Sequence, residues 1–147
     1  MNPPIDSFAG EYRFLSNFFP TPVFLDNKLY SSTEHAYQAA KTLIQAEREE
    51  IQRAGTPGLA KKLGRKVTLR VDWESIKINV MRELLRQKFA RGTPLSLGLV
   101  ATGDAILIEG NHWNDCFWGV CRGVGENHLG KLLMEQRSFL LSQGIRG

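Results

Sequence analysis

An acid and an amine, Glu34 and Lys41, sit seven positions apart in the stretch YSSTEHAYQAAK, residues 30–41. The stretch reads as the opening of a helix. Seven residues of α-helix return to within about 20° of the starting direction, so Glu34, Tyr37, Lys41 and Ile44 share a side. Tyr37 and Ile44 mark that side as at least partly buried. A desolvated lysine has a lowered pKa and becomes a nucleophile towards a carbonyl carbon, with a nearby carboxyl to move protons. Each residue also has a plainer account. Ser31 followed three positions later by Glu34 is a capping box, and Lys41 can snorkel from the edge of an amphipathic stripe.

A second chemical segment runs from Gly110 to Asn127. It places Trp113, Phe117 and Trp118 among Asn111, Asn114, Asp115 and Asn127. Aromatic faces stack on flat rings, and amides and carboxylates beside them read polar edges and hydroxyls. A structureless loop of this length is often functional. The alternative is that the tryptophans belong to the core and the polar residues shape turns.

Several enzyme classes have no footing here. GVGENHLG lacks the G-x-G-x-x-G spacing, and neither a Walker A sequence nor H-E-x-x-H occurs. His35, His112 and His128 do not show ligand spacing, so no metal and no cofactor is called for. Cys116 and Cys121 are too few for a disulfide framework or a zinc site, and two reduced thiols are expected. The net charge of +4 and pI of about 9.3 suit a phosphate-bearing ligand or weak nucleic-acid contact. The basic residues are too dispersed for a dedicated nucleic-acid binder. No signal peptide and no membrane-spanning stretch are visible, which places the chain in the cytoplasm, away from membranes.

The elements that must position these groups are short. The 147 residues are expected to form one domain, residues 1–147. Strands are expected at Phe8–Phe14, Pro22–Leu25 and Lys28–Tyr30, the last two joined by a turn at Asp26-Asn27. A helix is expected from about Ser32 to Gly55, with Ala36, Ala40 and Leu43 on one stripe and Tyr37, Ile44 and Ile51 on the next. Pro57 starts a short helix, Asp72 caps a long one, and PLSLGLVATG makes another. AILIEG has strand length. A final helix from His128 turns Leu129, Leu132, Leu133, Phe139 and Leu140 to the core. The expected class is α+β, helix-rich, with a few short strands.

At this point four segments, in order, resemble the YbiA-like or NADAR family: EYRFLSNFFP, YSSTEHAYQAAK, KFARGTPLSLGLVATGDAILIEGNHWNDCFWG and GENHLGKLLMEQR. The resemblance runs from about Phe8 to Arg137. Members often show WGD where this chain has Trp113-Asn114-Asp115. The resemblance implies an N-glycosidase fold and activity. Members are described as hydrolysing phosphoribosyl-aminopyrimidine intermediates of riboflavin synthesis, and others as removing ADP-ribose from guanine in nucleic acid. The implied partners are thus a small ribosyl phosphate or ADP-ribose substrate, or ADP-ribosylated DNA or RNA.

Carried over by position, the implied substrate-binding residues are Arg13, Phe14, Ser16, Asn17, Tyr37, Asn111, Trp113, Trp118, Gly119 and Asn127. The implied catalytic residues are Glu34, Lys41 and Asp115. Arg13 is the candidate for the phosphate. Two routes are then open. Glu34 or Asp115 stabilises an oxocarbenium-like centre and orients water, or Lys41 attacks C1 and expels the base as a Schiff base forms. A module that binds ADP-ribose or a nucleotide without turnover is the alternative from another class.

Overall fold

Asp26 and Asn27 both hold left-handed backbone, with φ of 47° and 65°. A type I′ turn demands two such residues, and Asp and Asn tolerate them better than most. The turn joins strand β1 (Pro20–Leu25) to β2 (Lys28–Ser32) as an antiparallel hairpin, with Val23 opposite Tyr30 and Phe24 opposite Leu29. Alternation sends Val23 and Tyr30 inward and Phe24 and Leu29 to solvent. The Gln87 side chain both donates to and accepts from the Phe24 backbone (2.8 and 2.7 Å), closing part of the β1 edge.

The computed structural model describes residues 2–146. Asn17–Lys88 form one compact unit, and the chain before Asn17 with the chain from Phe89 onward forms another. In the first unit the hairpin leads straight into α1 (Thr33–Ala40), and α2 (Gln45–Gln52), α3 (Pro57–Gly64) and α4 (Trp73–Lys88) follow. All eight residues of α1 are buried, because β1, β2, α2, α3 and α4 all pack on it. Ala36, Ala39 and Ala40 let those neighbours approach closely. Ser32 caps the helix, its hydroxyl accepting the His35 amide at 3.1 Å.

The expected helix from 32 to 55 is two helices. The carbonyls at the end of α1 are taken from outside: Arg70 N donates to Lys41 O (2.8 Å) and Arg48 Nε to Thr42 O (2.7 Å). The Thr42 hydroxyl accepts the Ile44 amide and donates to Glu47. These bonds compete with helix continuation. Leu43 and Ile44, expected on the apolar stripes, are therefore exposed. Pro57 does begin α3, with Thr56 as its cap. Asp72 stands directly before α4, but the Arg70 guanidinium holds its carboxylate, at 2.7 Å from Nε.

The other unit holds a 3-10 helix (Gly10–Leu15), α5 (Pro94–Ala101) and α6 (His128–Ser142). Two residue pairs, β3 (Gly110–Asn111) and β4 (Val120–Cys121), run parallel. Leu99, Leu107, Leu129, Leu133, Leu140 and Phe89 make its core, and Phe14 meets Phe89 edge-on at 6.4 Å. The strand expected at Phe8–Phe14 is absent. Gly10, at φ 59°, turns the chain into i→i+3 bonds instead, beginning with Tyr12 N to Ala9 O. AILIEG, expected as one strand, contributes a single bridge from Leu107 to Ile5 and, at its last residue, Gly110 of β3. Phe139, expected in the core, is 53% exposed. The helix-rich α+β class stands. No helix among the described residues is long and apolar enough to cross a membrane.

The cap register is testable. Ser32→Ala removes the hydroxyl that serves the His35 amide and ring, and should cost about 1–2 kcal/mol in urea denaturation. Ser31→Ala should cost less than about 0.5 kcal/mol. Equal losses would return the cap to Ser31.

Candidate functional site

Because α1 is encased, each polar group on it must find a partner inside the protein. His35 does so completely. Its Nε2 lies 2.9 Å from Ala54 O, which can only accept, so Nε2 carries the proton. Its Nδ1 then receives the Ser32 hydroxyl at 2.6 Å. His35 is a strut between α1 and the end of α2.

Glu34 is not in a capping box. Its amide donates to Asn17 O at 3.1 Å, and its carboxylate Oε2 accepts Gln38 Nε2 at 2.5 Å. Glu34 is 8% exposed. Tyr37 packs on Trp73 of α4, ring centroids 5.2 Å apart and tilted by 56°. Lys41 caps the C-terminus of α1 in αR conformation, so it stays on the side of Tyr37, with Nζ 5.6 Å from that ring's centroid. This is cation–π range. Burial is the largest influence on the Lys41 amine and holds its pKa below the ordinary 10.5. Glu34 pulls it back up, while Arg65, Lys61 and Lys77 push it further down. An acid and a partly dry amine thus share the Tyr37 face, as their spacing implies. Ile44 does not share it.

Asn17 lies in the same unit. Its Nδ2 points at Met81 Sδ (3.6 Å), and its buried Oδ1 has no hydrogen-bond partner among the described residues. The same holds for Gln38 Oε1 and Thr33 Oγ1. Gln38 and the pairing of Trp73 with Tyr37 escaped the reading of the sequence. Gln38 had a local signal, one helical turn after Glu34. Trp73 had none, since its partner lies on another helix.

In the other unit, Arg13 is exposed on the 3-10 helix, Phe14 is half-buried, and the Ser16 amide bonds back to Arg13 O at 3.0 Å. The segment after Gly110 is built by its own polar side chains. Asn111 Oδ1 accepts the Trp113 and Asp115 amides (3.2 and 3.0 Å), and its Nδ2 donates to Asp115 O (2.8 Å). Asp115 Oδ1 accepts the Phe117 and Trp118 amides (3.2 and 2.9 Å). Asn127, at φ 54°, accepts the Glu109 amide and donates to Leu107 O. Gly119 is needed for space, because a Cβ there would strike Glu109 O.

Of the two site tryptophans, Trp113 is half exposed against His112, and Trp118 is half-buried with Phe117 and His128. Cys116 and Cys121 are free thiols, one exposed and one buried. No three His, Cys, Asp or Glu side chains among the described residues group as a metal ion would require.

Comparison with known proteins gives a consistent result. The family described as NADAR domain matches residues 6–141. The chain is 42% identical over 137 residues to N-glycosidase YbiA of Escherichia coli (strain K12), covering 91% of this chain and 85% of that protein. It is 40% identical over 132 residues to a riboflavin biosynthesis protein of Vibrio vulnificus (strain YJ016), covering 88% of this chain and 36% of that one. The NMR structure of E. coli YbiA superposes with a TM-score of 0.84 at 40% identity, over 98% of this chain and 89% of that one.

The polar scaffold after Gly110 should fail when its central amide is removed. Asn111→Ala leaves the Trp113 and Asp115 amides without their acceptor, a loss of about 1–3 kcal/mol. Hydrogen exchange at those two amides should accelerate while the Leu133 amide in α6 keeps its protection. Unchanged exchange at Trp113 and Asp115 would show that Asn111 does not hold the loop.

Proposed function

The chain belongs to the NADAR family, and from that premise we propose that it is an N-glycosidase, a hydrolase acting on the bond between C1 of a ribose and a nitrogen of an aminated heterocycle. The substrate class we favour is a phosphoribosyl-aminopyrimidine of the riboflavin pathway, in keeping with the names carried by relatives. The observation that supports a covalent route is the placing of Lys41. Its amine lies over Tyr37, two turns after the buried Glu34, with its pKa held down chiefly by burial.

The proposed chemistry follows from the leaving group. An exocyclic amine on C1 can push its lone pair onto the C1–N bond as the C1–O4 bond breaks. Glu34 gives a proton to O4, and the furanose opens to an imine. Lys41 Nζ adds to C1 and loses a proton to Glu34. Glu34 passes that proton to the departing nitrogen, the C1–N bond breaks, the aminated heterocycle leaves as a neutral amine, and a protonated Schiff base joins Lys41 to C1. Water adds to C1, the Lys41–C1 bond breaks, and the sugar aldehyde closes to ribose. Each step needs a neutral amine at the attack and a carboxyl that can both give and take a proton.

The signs of the pH effects are fixed by the causes of the shift. Turnover should rise with pH as Lys41 loses its proton and should level off below pH 10.5. The unfolded chain keeps that proton to higher pH than the folded one does. Stability therefore rises with pH across the interval just below 10.5. Glu34→Gln removes the charge that raises the Lys41 pKa, so the midpoint for amine-specific labelling of Lys41 should move to lower pH.

The deciding experiment offers a phosphoribosyl-aminopyrimidine, ADP-ribosylated guanosine and ADP-ribosylated DNA side by side and follows release of the base. Lys41→Ala should lower turnover by at least about a thousandfold with the melting temperature retained. Borohydride added during turnover should leave a reduced sugar adduct on Lys41, seen by mass spectrometry. Full activity in Lys41→Ala would remove the covalent route. Binding of any of the three without product over hours would replace the enzyme with a binding module.

A further inference from the structure

Gln38 lies one helical turn beyond Glu34 and is 3% exposed. The two side chains meet at 2.5 Å, Nε2 to Oε2. The orientation of the amide follows from chemistry: an unprotonated carboxyl oxygen only accepts, so the NH2 end must face Oε2 and the carbonyl end must face away. That carbonyl end, Oε1, is buried and has no hydrogen-bond partner among the described residues. A buried acceptor left this way is destabilising. A glutamine kept at that cost needs a reason other than stability.

The last residue of α3 supplies a second observation. Gly64 is helical and needs no unusual backbone angle. A Cβ there would run into the Gln38 amide, its oxygen first and then its carbonyl carbon and Cβ. The absence of a side chain at 64 is therefore a matter of room for Gln38. α3 presents bare backbone to the amide, which limits the directions in which the amide can swing. The amide in turn fixes Oε2 of Glu34.

We propose that Gln38, seated against Gly64, is a positioning residue that orients the Glu34 carboxyl for its proton exchanges. With Oε2 fixed by the amide, the direction faced by Oε1 is set before substrate arrives. This rests on the reading of Glu34 as the proton shuttle. Gln38 touches no reacting atom. Its loss removes orientation rather than a participant, and effects of that kind run to about 10- to 100-fold.

The test compares Gln38→Leu, Gln38→Met, Gly64→Ala and Gln38→Ala/Gly64→Ala with Glu34→Gln, on the substrate that the wild type cleaves. Gln38→Leu and Gln38→Met fill the space without a donor. They should lower kcat about 10- to 100-fold with KM within about twofold, and the melting temperature should hold. Gly64→Ala should lower both kcat and the melting temperature, because the new methyl displaces the amide. The double variant makes room for that methyl, so its melting temperature should recover while kcat stays low. Wild-type kcat in Gln38→Leu or Gln38→Met, beside an inactive Glu34→Gln, would overturn the positioning role. So would kcat losses that only track melting temperature across the series. Full activity in Glu34→Gln would instead overturn the reading of Glu34 itself, a different and separately visible failure.

Discussion

One eight-residue helix with no solvent-facing side constrains the rest of its unit. Every residue of α1 is buried, and a helix in that position cannot leave its terminal amides and carbonyls to water. Ser32 serves the start, Asn17 O takes the Glu34 amide, and Arg48 and Arg70 reach the carbonyls at the end. The hairpin that delivers Ser32 and the break at residues 41–44 both answer to this one demand. The same burial places a carboxyl and an amine where neither is fully hydrated. The features that hold the fold therefore also set the chemistry.

The sequence was most legible where the signal was local. Asp26-Asn27 announced a hairpin because few residue pairs tolerate two left-handed positions. Pro57 and Pro94 announced helix starts because their fixed φ suits the first turn. It was least legible where a distant group decided. Nothing near Lys41 says that Arg48 and Arg70 will take the carbonyls there, so one long helix was the natural reading. Ser31 and Ser32 are equivalent as candidate caps until the acceptor of the His35 amide is known. α1 also defeats an amphipathic reading. A helix with neighbours on all sides has no stripe, and polar Gln38 and apolar Ala39 are equally buried.

The candidate site divides in the same way. The shared face of Glu34, Tyr37 and Lys41 follows from helical spacing and survives the early end of α1, because Lys41 keeps αR backbone. The segment after Gly110 was harder to read. Asn and Asp beside tryptophans look like groups that grip a ligand. In the folded protein Asn111 and Asp115 Oδ1 bond to the amides of their own loop. Residues that can bind a hydroxyl can equally shape a turn, and spacing alone does not separate the two uses. What the bonds add is rigidity, which lets a loop hold Trp113 half exposed without regular secondary structure.

The state of Lys41 is decided by competing effects of known sign. The negative end of a helix favours a cation by about 0.3–1 kcal/mol, and Glu34 favours it too. Against them stand burial and the charges of Lys61, Arg65 and Lys77, and the net direction is downward. The carbonyls of Lys41 and Thr42 at this end are engaged by Arg70 and Arg48. Desolvation then wins, and the neutral amine becomes accessible at a lower pH than for an exposed lysine. A lysine one turn earlier would sit within the intact hydrogen-bond ladder, and one turn later would stand with Leu43 and Ile44 in water. The C-cap is the position in α1 where helical direction, partial burial and spent carbonyls coincide.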